Sequence, residues 1–144
     1  PEETNLKMLA QELNITDNIT FLGQISHAEI WHIRKNSQIC IINSSHEDVP
    51  DNAIKCFVTK TPVIAADAQS INEVVQNERS GLLVKLDDDE DLASAIKRIF
   101  QNSDLRAHFA NETQKILEEK FSWDAHIRTL DNSLKLILSK NNAQ

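Results

Sequence analysis

Short apolar runs of strand length alternate with segments of helical periodicity along the middle of this chain. The runs at 38–42 and 63–66 are nearly continuous in apolar residues, which is typical of strands buried on both faces of a sheet. A shorter run follows at 81–84. Between the first two runs, apolar residues at 53, 54, 57 and 58 recur with the spacing of one helix face. Strands that alternate with helices form parallel sheets, so the sequence predicts an α/β fold with helices on both faces of the sheet.

The remaining segments extend this pattern to both ends of the chain. Ser26 and Glu29 have the spacing of a capping box, which predicts a helix beginning at His27. The other predicted elements are a helix over 3–13, a strand over 19–23, a short helix around 71–76, and helices after 88 that end with a C-terminal helix over 124–139. A length of 144 residues predicts a single domain that spans 1–144.

Glycine and charge exclude several classes of ligand. The chain has only two glycines, Gly23 and Gly81, so neither the dinucleotide fingerprint nor the Walker A phosphate loop can be written with them. The net charge is −7, and no basic cluster is longer than the pair Arg34-Lys35. Binding to nucleic acid depends on a concentrated positive surface. We therefore expect no nucleic-acid partner.

The cysteines and the acidic run argue against a metal site. Cys40 and Cys56 lie in apolar segments with fifteen residues between them, which favours buried, reduced thiols and a cytoplasmic location. The acidic residues at 87–91 lack the central glycine and closing glutamate of a calcium loop, so we interpret them as the start of a helix. We expect no resident metal.

The central residues also resemble a known family. Residues 39–50 read Ile-Cys-Ile-Ile-Asn-Ser-Ser-His-Glu-Asp-Val-Pro, and Thr-Pro-Val-Ile-Ala-Ala, Asn-Glu-Val-Val and Ser-Gly-Leu-Leu-Val follow. The flanks are Phe21-Leu22-Gly23 and Phe121-Ser122-Trp123. This series resembles the C-terminal nucleotide-sugar-binding domain of GT-B glycosyltransferases of family 4. It implies a Rossmann-like sheet, the C-terminal half of a GT-B fold without its first two strands.

The resemblance also implies where a donor would bind. The family motif has two glutamates separated by seven residues: the first contacts the donor sugar and supports the departing diphosphate, and the second accepts hydrogen bonds from the ribose diol. The first corresponds to Glu47, the implied catalytic residue. The second corresponds to Lys55, whose ammonium only donates. Family glycines correspond to Asp48 and Lys60, and we expect both positions to lie beside the donor. The implied donor-binding residues are Gly23, Ser44, Ser45, Val49, Pro50, Asn52, Lys55 and Glu73.

Electrostatics at the helix that follows Pro50 complicate this assignment. The N-terminus of a helix suits a diphosphate, but Glu47, Asp48 and Asp51 crowd that end. Like charges about 4 Å apart repel by ~4 kcal/mol at an effective dielectric constant of about 20, so surplus carboxylates would weaken donor binding. In the alternative interpretation, Asp51 and Lys55 form an ordinary i,i+4 surface pair and Asp48 caps the helix or faces water.

Two functions follow from these residues. The first is a retaining transfer of a sugar from a nucleotide-diphosphate sugar to a glycan or lipid-linked acceptor. The nucleotide sugar is a substrate, and we expect no cofactor. The second is a decayed, glycosyltransferase-like scaffold or partner-binding module. A phosphate-receiving response regulator fits poorly, because its acidic cluster and strand-end aspartate are not found.

The resemblance implies further partners for the chain. The family has an N-terminal acceptor domain and two central strands before the part that matches, so we expect the isolated chain to be inactive. The strand at 19–23 would border a gap beside the strand that begins near Ile39. We expect the open sheet edge to pair with a second copy or a partner chain, or the two strands to pair directly.

Overall fold

A computed structural model describes residues 2–43, 49–68 and 70–141. The chain forms two compact units, residues 1–30 and residues 31–144. The helices are α1 (Glu2–Glu12), α2 (His27–Asn36), α3 (Val49–Val58), α4 (Asp89–Gln101), α5 (Ser103–Ile116) and α6 (Trp123–Asn141), and the strands are β1 (Cys40–Ile42), β2 (Val63–Ala66) and β3 (Gly81–Val84). Short 3₁₀ turns lie at Thr16–Asn18 and Ile71–Glu73, and a π-helical turn at Leu117–Phe121 joins α5 to α6.

Local signals define where α1 ends and where α2 begins. Helix α1 ends with Asn14 in the left-handed conformation (φ 54°), where the N–H groups of Asn14 and Ile15 donate to the carbonyls of Gln11 and Ala10 at 3.0 Å. This is a Schellman motif. Helix α2 begins with the predicted capping box, which is confirmed: the Ser26 N–H donates to Glu29 Oε2 at 2.8 Å, and the Glu29 N–H donates to Ser26 Oγ at 3.3 Å.

The strand predicted at 19–23 is wrong. Ile19 has extended dihedral angles (φ −119°, ψ 131°), but its N–H donates to the carbonyl of Thr16, at 3.2 Å, as part of the preceding turn. Gly23 ends the segment in the left-handed region, at φ 60°. Strand dihedral angles make a strand only when a neighbouring strand accepts and donates the ladder hydrogen bonds. Apolar composition alone does not provide that neighbour.

A three-stranded parallel sheet forms the centre of the second unit, in the order β1-β2-β3. Val63 of β2 is opposite Cys40 on one side and Gly81 on the other. All four residues of β2 are buried. The predicted α/β fold, with a parallel sheet between helices, is confirmed.

The two faces of the sheet pack against different helices because successive side chains of a strand point in opposite directions. Val63 and Ala65 face a cluster that includes Phe57 of α3 together with Ile71, Val74 and Val75. Ile64 faces the other cluster, which includes Ile99 of α4. Helix α5 contributes to both clusters, through Ile116 to the first and Phe109 to the second.

Strand β1 differs from its prediction as a strand buried on both faces. Ile42 is buried, but Ile41 remains 45% exposed. In the described part of the chain β1 pairs only with β2 and is therefore an edge strand. The face of β1 that a helix covers is buried, whereas part of its other face is accessible to solvent. The exposure of Ile41 therefore follows from the position of β1 at the edge of the sheet.

The helices in the described ranges are too short or too polar to cross a lipid bilayer.

The close approach of β3 to β2 makes a prediction about Gly81. A Cβ atom at this position would lie 2.6 Å from the Val63 carbonyl oxygen and 3.1 Å from Val75 Cγ1. Backbone cannot rotate out of the way as a side chain can, so Gly81→Ala should lower the free energy of unfolding of this unit by about 1–3 kcal/mol. Urea denaturation followed by circular dichroism measures the change.

Gly23→Ala is the matched control for this experiment. At Gly23 an added Cβ meets nothing within 4 Å, and only the left-handed φ of 60° is unfavourable. We expect a cost of about 1 kcal/mol there. An unfolding midpoint of Gly81→Ala equal to that of the unmodified chain would contradict the proposed steric role of Gly81.

Candidate functional site

The carboxyl ends of the three parallel strands define one edge of the sheet. Asn43 follows β1, Asp67 follows β2 and Lys85 follows β3. Helix α3 begins at this edge with Val49 and Pro50, and proline is well suited to the first turn of a helix because it lacks the N–H that would be unpaired there. Ligands of open α/β sheets bind beyond this edge. The first turn of α3 is therefore the centre of the candidate site.

Asp51 and Lys55 of α3 form an ion pair one turn apart. Both side chains are solvent-accessible, so the pair contributes only a few tenths of a kcal/mol. The structure therefore contains the i,i+4 surface pair of Asp51 and Lys55 that the alternative interpretation predicts. Of the three carboxylates expected to crowd this helix end, Asp51 has its charge offset by Lys55, whereas Glu47 and Asp48 lie outside the described residues.

Arg34 is a component of the site that sequence reasoning missed. Its guanidinium Nη2 donates to Asn52 Oδ1 at 2.9 Å, in a partly buried contact that brings a positive charge to the first turn of α3. The Arg34 carbonyl accepts a hydrogen bond from Thr61 Oγ1 at 2.7 Å, which fixes the last turn of α2 near the start of β2. In the sequence, the only local indication of this role is that Arg34 is a basic residue near the end of a predicted helix. The partner Asn52 is 18 residues away, beyond any helical spacing.

The 3₁₀ turn at Ile71–Glu73 lies against α3. Ile71 is fully buried and belongs to the same apolar cluster as Ala53 and Phe57 of α3. Asn72 Nδ2 donates to Asp67 Oδ1 at 2.8 Å, which ties the turn to the end of β2. Glu73 itself is exposed. The structure therefore brings the turn that carries Glu73 together with the helix that carries Pro50, Asn52 and Lys55.

Other implied donor-binding residues are not assembled by the described structure. Gly23 belongs to the first unit, where its left-handed φ accounts for the glycine. Ser44, Ser45 and Glu47 lie outside the described residues. Val49 is described only as the first residue of α3.

Lys60 lies away from the candidate site, so the expectation that it adjoins a donor is wrong. Lys60 has φ 59° and follows the C-terminal end of α3. The N–H groups of Lys60 and Thr61 donate to the carbonyls of Phe57 and Cys56, both at 3.0 Å, which is again a Schellman motif. Ten residues of helix at 1.5 Å per residue separate it from Pro50 by about 15 Å. A glycine at this position would serve the helix end.

The acidic run at 87–91 caps α4, as the sequence predicts. Asp88 is the N-cap residue, and its Oδ1 accepts from the Asp91 N–H at 2.9 Å. Asp91 Oδ2 accepts from the Lys85 N–H at 2.9 Å. Within the described ranges, no three His, Cys, Asp or Glu side chains converge as metal ligands would.

Comparison with known sequences identifies the family. The sequence model described as "Glycosyl transferases group 1" matches residues 1–116, most of the chain. The chain belongs to the glycosyl transferases group 1 family. One relative is the lipopolysaccharide core biosynthesis glycosyltransferase LpsD of Rhizobium meliloti, which is 28% identical over 138 residues. The match covers 93% of this chain and 40% of LpsD.

Solved structures agree with the fold of this group 1 glycosyl transferase chain. Sucrose-phosphate synthase from Thermosynechococcus elongatus matches 96% of this chain with a TM-score of 0.79 and 27% identity, over 35% of that chain. Anabaena HepE in complex with UDP matches 95% of this chain with a TM-score of 0.75 and 20% identity, over 36% of that chain. The chain thus spans between about a third and two fifths of the length of these three proteins.

The position of Lys60 makes a prediction about the stability of this group 1 glycosyl transferase chain. Because an L-residue in the left-handed region is strained and glycine is not, Lys60→Gly should raise the free energy of unfolding by about 1 kcal/mol. Lys60→Ala, which keeps the Cβ and removes the charge, should leave the stability nearly unchanged. Urea denaturation measures both variants. A stabilisation by Lys60→Ala equal to that by Lys60→Gly would show that charge, and not backbone strain, determines the effect.

Proposed function

We propose that this chain is the donor-binding part of a retaining family 4 glycosyltransferase, and that it binds a nucleotide-diphosphate sugar at the carboxyl edge of the sheet. The observation that carries the proposal is the first turn of α3, which begins at this edge with the Arg34 guanidinium beside it. Membership of the glycosyl transferases group 1 family supports it. The HepE structures, which share the fold, contain UDP and UDP-glucose.

The diphosphate has two sources of positive potential in this proposal. The first N–H groups of a helix have no partner within the helix, and the helix dipole adds a partial positive charge at the same end. Arg34 adds a full charge beside Asn52. Guanidinium groups bind phosphate oxygens with paired hydrogen bonds. Arg34 would thereby offset part of the repulsion from Glu47 and Asp48.

Glu47 is the proposed catalytic residue, contacting the donor sugar while the diphosphate departs. Ser44, Ser45 and the backbone of Val49 and Pro50 would line the sugar and diphosphate. Glu73 would contact the donor from the turn that packs on α3.

The acceptor in this proposal is a glycan or a lipid-linked glycan, bound by an N-terminal acceptor domain or a partner chain. One relative is named a lipopolysaccharide core biosynthesis glycosyltransferase, which supports this class of acceptor. The reaction needs no resident cofactor, and we place it in the cytoplasm, where nucleotide sugars are available. The isolated chain would bind donor without transferring the sugar.

The role of Arg34 is tested by nucleotide titration. A ligand at 100 times its dissociation constant stabilises the folded chain by ~2.7 kcal/mol, so thermal shift with UDP, GDP and their sugars should identify the nucleotide. Arg34→Gln should then weaken its binding roughly 10- to 100-fold, since a hydrogen bond to a charged group contributes about 1.5–3 kcal/mol.

Lys35→Gln is the matched control, because it removes the same charge from the neighbouring, exposed residue. We expect it to change the affinity by less than about two-fold, as a distant surface charge does in a screened solution. Equal losses in the two variants would contradict a specific contact of Arg34 with the diphosphate. Absence of a thermal shift with every nucleotide would contradict the proposed function.

A decayed scaffold is the second candidate, and the Asp51–Lys55 pair favours it. Lys55 occupies the position of the ribose-binding glutamate and is engaged by Asp51 on the surface of its own helix. Its ammonium cannot accept the hydroxyl protons of ribose. In this alternative the sheet and helices persist for assembly or for binding a partner.

Lys55→Glu distinguishes the two candidates. The variant replaces a favourable i,i+4 ion pair by two repelling carboxylates, at a total cost of about 0.4–1 kcal/mol in helix stability. If the site binds donor, the new carboxylate should strengthen binding of UDP or GDP and should have no such effect on their 2′-deoxy analogues. Lys55→Gln controls for loss of the charge. Binding that appears only in Lys55→Glu would favour the scaffold, and weaker binding in that variant would contradict the assigned ribose contact.

A further inference from the structure

Two cysteines that are distant in sequence meet between β1 and α3. Cys56 lies on the buried face of α3 and has no exposed surface. Cys40 is the first residue of β1 and packs against the same apolar cluster while remaining partly exposed. Both cysteines are free thiols, one of which solvent can reach.

The backbone fixes the two cysteines to the same short segment. The Cys40 N–H donates to the Pro62 carbonyl at 2.8 Å, and the Cys56 carbonyl accepts from the Thr61 N–H at 3.0 Å. Thr61 and Pro62 are consecutive, so the backbones of Cys40 and Cys56 are hydrogen-bonded to adjacent residues. Thr61 is buried and also bonded through its hydroxyl to the Arg34 carbonyl. The proximity of the two cysteines therefore follows from the connection between α3 and β2.

The two sulfur atoms also have different acidities. Interaction with the Cys56 thiol, together with the charge of Arg34, lowers the pKa of Cys40 to about 7. The same interaction and burial raise the pKa of Cys56. The more accessible cysteine is thus the one that forms a thiolate, which is the nucleophilic form.

We propose that Cys40 and Cys56 form an oxidation site at which a hydroperoxide converts the two thiols into an intrachain disulfide. The two proposals share Arg34, whose charge also lowers the pKa of Cys40. Neither cysteine is among the proposed donor contacts, so the oxidation can be tested without a nucleotide.

The reaction proceeds in two balanced steps. The Cys40 thiolate attacks the hydroperoxide: an S–O bond forms, the O–O bond breaks, and the alkoxide that leaves takes up a proton to become an alcohol, or water when the oxidant is hydrogen peroxide. Cys40 is then a sulfenic acid. The Cys56 sulfur attacks it: the S–S bond forms, the S–O bond breaks, and the hydroxide leaves as water with the Cys56 proton. The two thiols lose two electrons, which reduce the hydroperoxide.

The first step also prepares the second. The pKa of Cys56 is raised by its interaction with the Cys40 sulfur and by burial. After Cys40 has become a sulfenic acid, that sulfur no longer carries a negative charge. The Cys56 thiol then loses the first contribution to its raised pKa, while burial remains.

Hydrogen peroxide treatment of the native chain tests the proposal. The intact mass should fall by two hydrogen atoms, and peptide mapping without reductant should recover a fragment in which Cys40 is joined to Cys56. Dithiothreitol should reverse both results. Intermolecular disulfides, or oxidation of Cys40 to the sulfinic acid with Cys56 still a thiol, would overturn the proposal.

Single serine variants assign the order of the steps. In Cys56→Ser the reaction should stop at Cys40, where dimedone traps the sulfenic acid. In Cys40→Ser the chain should give neither a disulfide nor a dimedone adduct, because Cys56 is buried. Circular dichroism establishes that each variant is folded. A dimedone adduct at Cys56 in the Cys40→Ser variant would overturn the assigned order.

Phenylarsine oxide gives a measurement that needs no variant. Its trivalent arsenic atom binds two thiols at once only when the two sulfur atoms are close enough for that single arsenic atom to bond to both. The unmodified native chain should bind one phenylarsenic group, lose two thiol protons, and become resistant to peroxide. Failure of the arsenical to bind the folded chain would show that the sulfurs cannot bridge and would overturn the proposal.

Discussion

Burial of β2 on both faces and both edges is the constraint on which the rest of the second unit depends. Every backbone N–H and C=O group in a buried strand needs a hydrogen-bond partner, and β1 and β3 supply these partners on either side. The side chains of β2 then determine what covers the sheet, with Val63 and Ala65 facing α3 and Ile64 facing α4. Gly81 allows β3 to come close enough to complete the arrangement.

The candidate site is a product of this arrangement. Helix α3 runs from the carboxyl edge of the sheet back to the start of β2. Its two ends have different roles. Its first turn, with Asn52 and the adjoining Arg34, offers positive potential to a ligand. Its last turn is closed by Lys60 and Thr61, and it holds Cys56 near Cys40. Of the two charged residues at family glycine positions, Lys60 closes the end of α3, and Asp48 lies outside the described residues.

The predictions from sequence succeeded where the signal was local. The capping box at Ser26, the helix after Pro50 and the run at 63–66 contain the information that forms them within a few residues. The strand at 19–23 failed because its stability depends on a neighbour that composition does not reveal. The Arg34–Asn52 contact and the thiol pair were missed for the same reason, since folding brings their partners together across the connection of α3 to β1 and β2.

The edge position of β1 also determines which backbone amides of the sheet are protected from hydrogen exchange. Residues of a parallel strand direct their amides alternately to the two sides, and the Cys40 N–H points toward β2. The amide of Ile41 therefore points to the outer side, which faces no strand in the described part of the chain. It should exchange its hydrogen with solvent through small local openings, whereas the amides of β2 should exchange only when the whole unit unfolds. Opening at this edge of the sheet thus involves the strand that carries the accessible thiol.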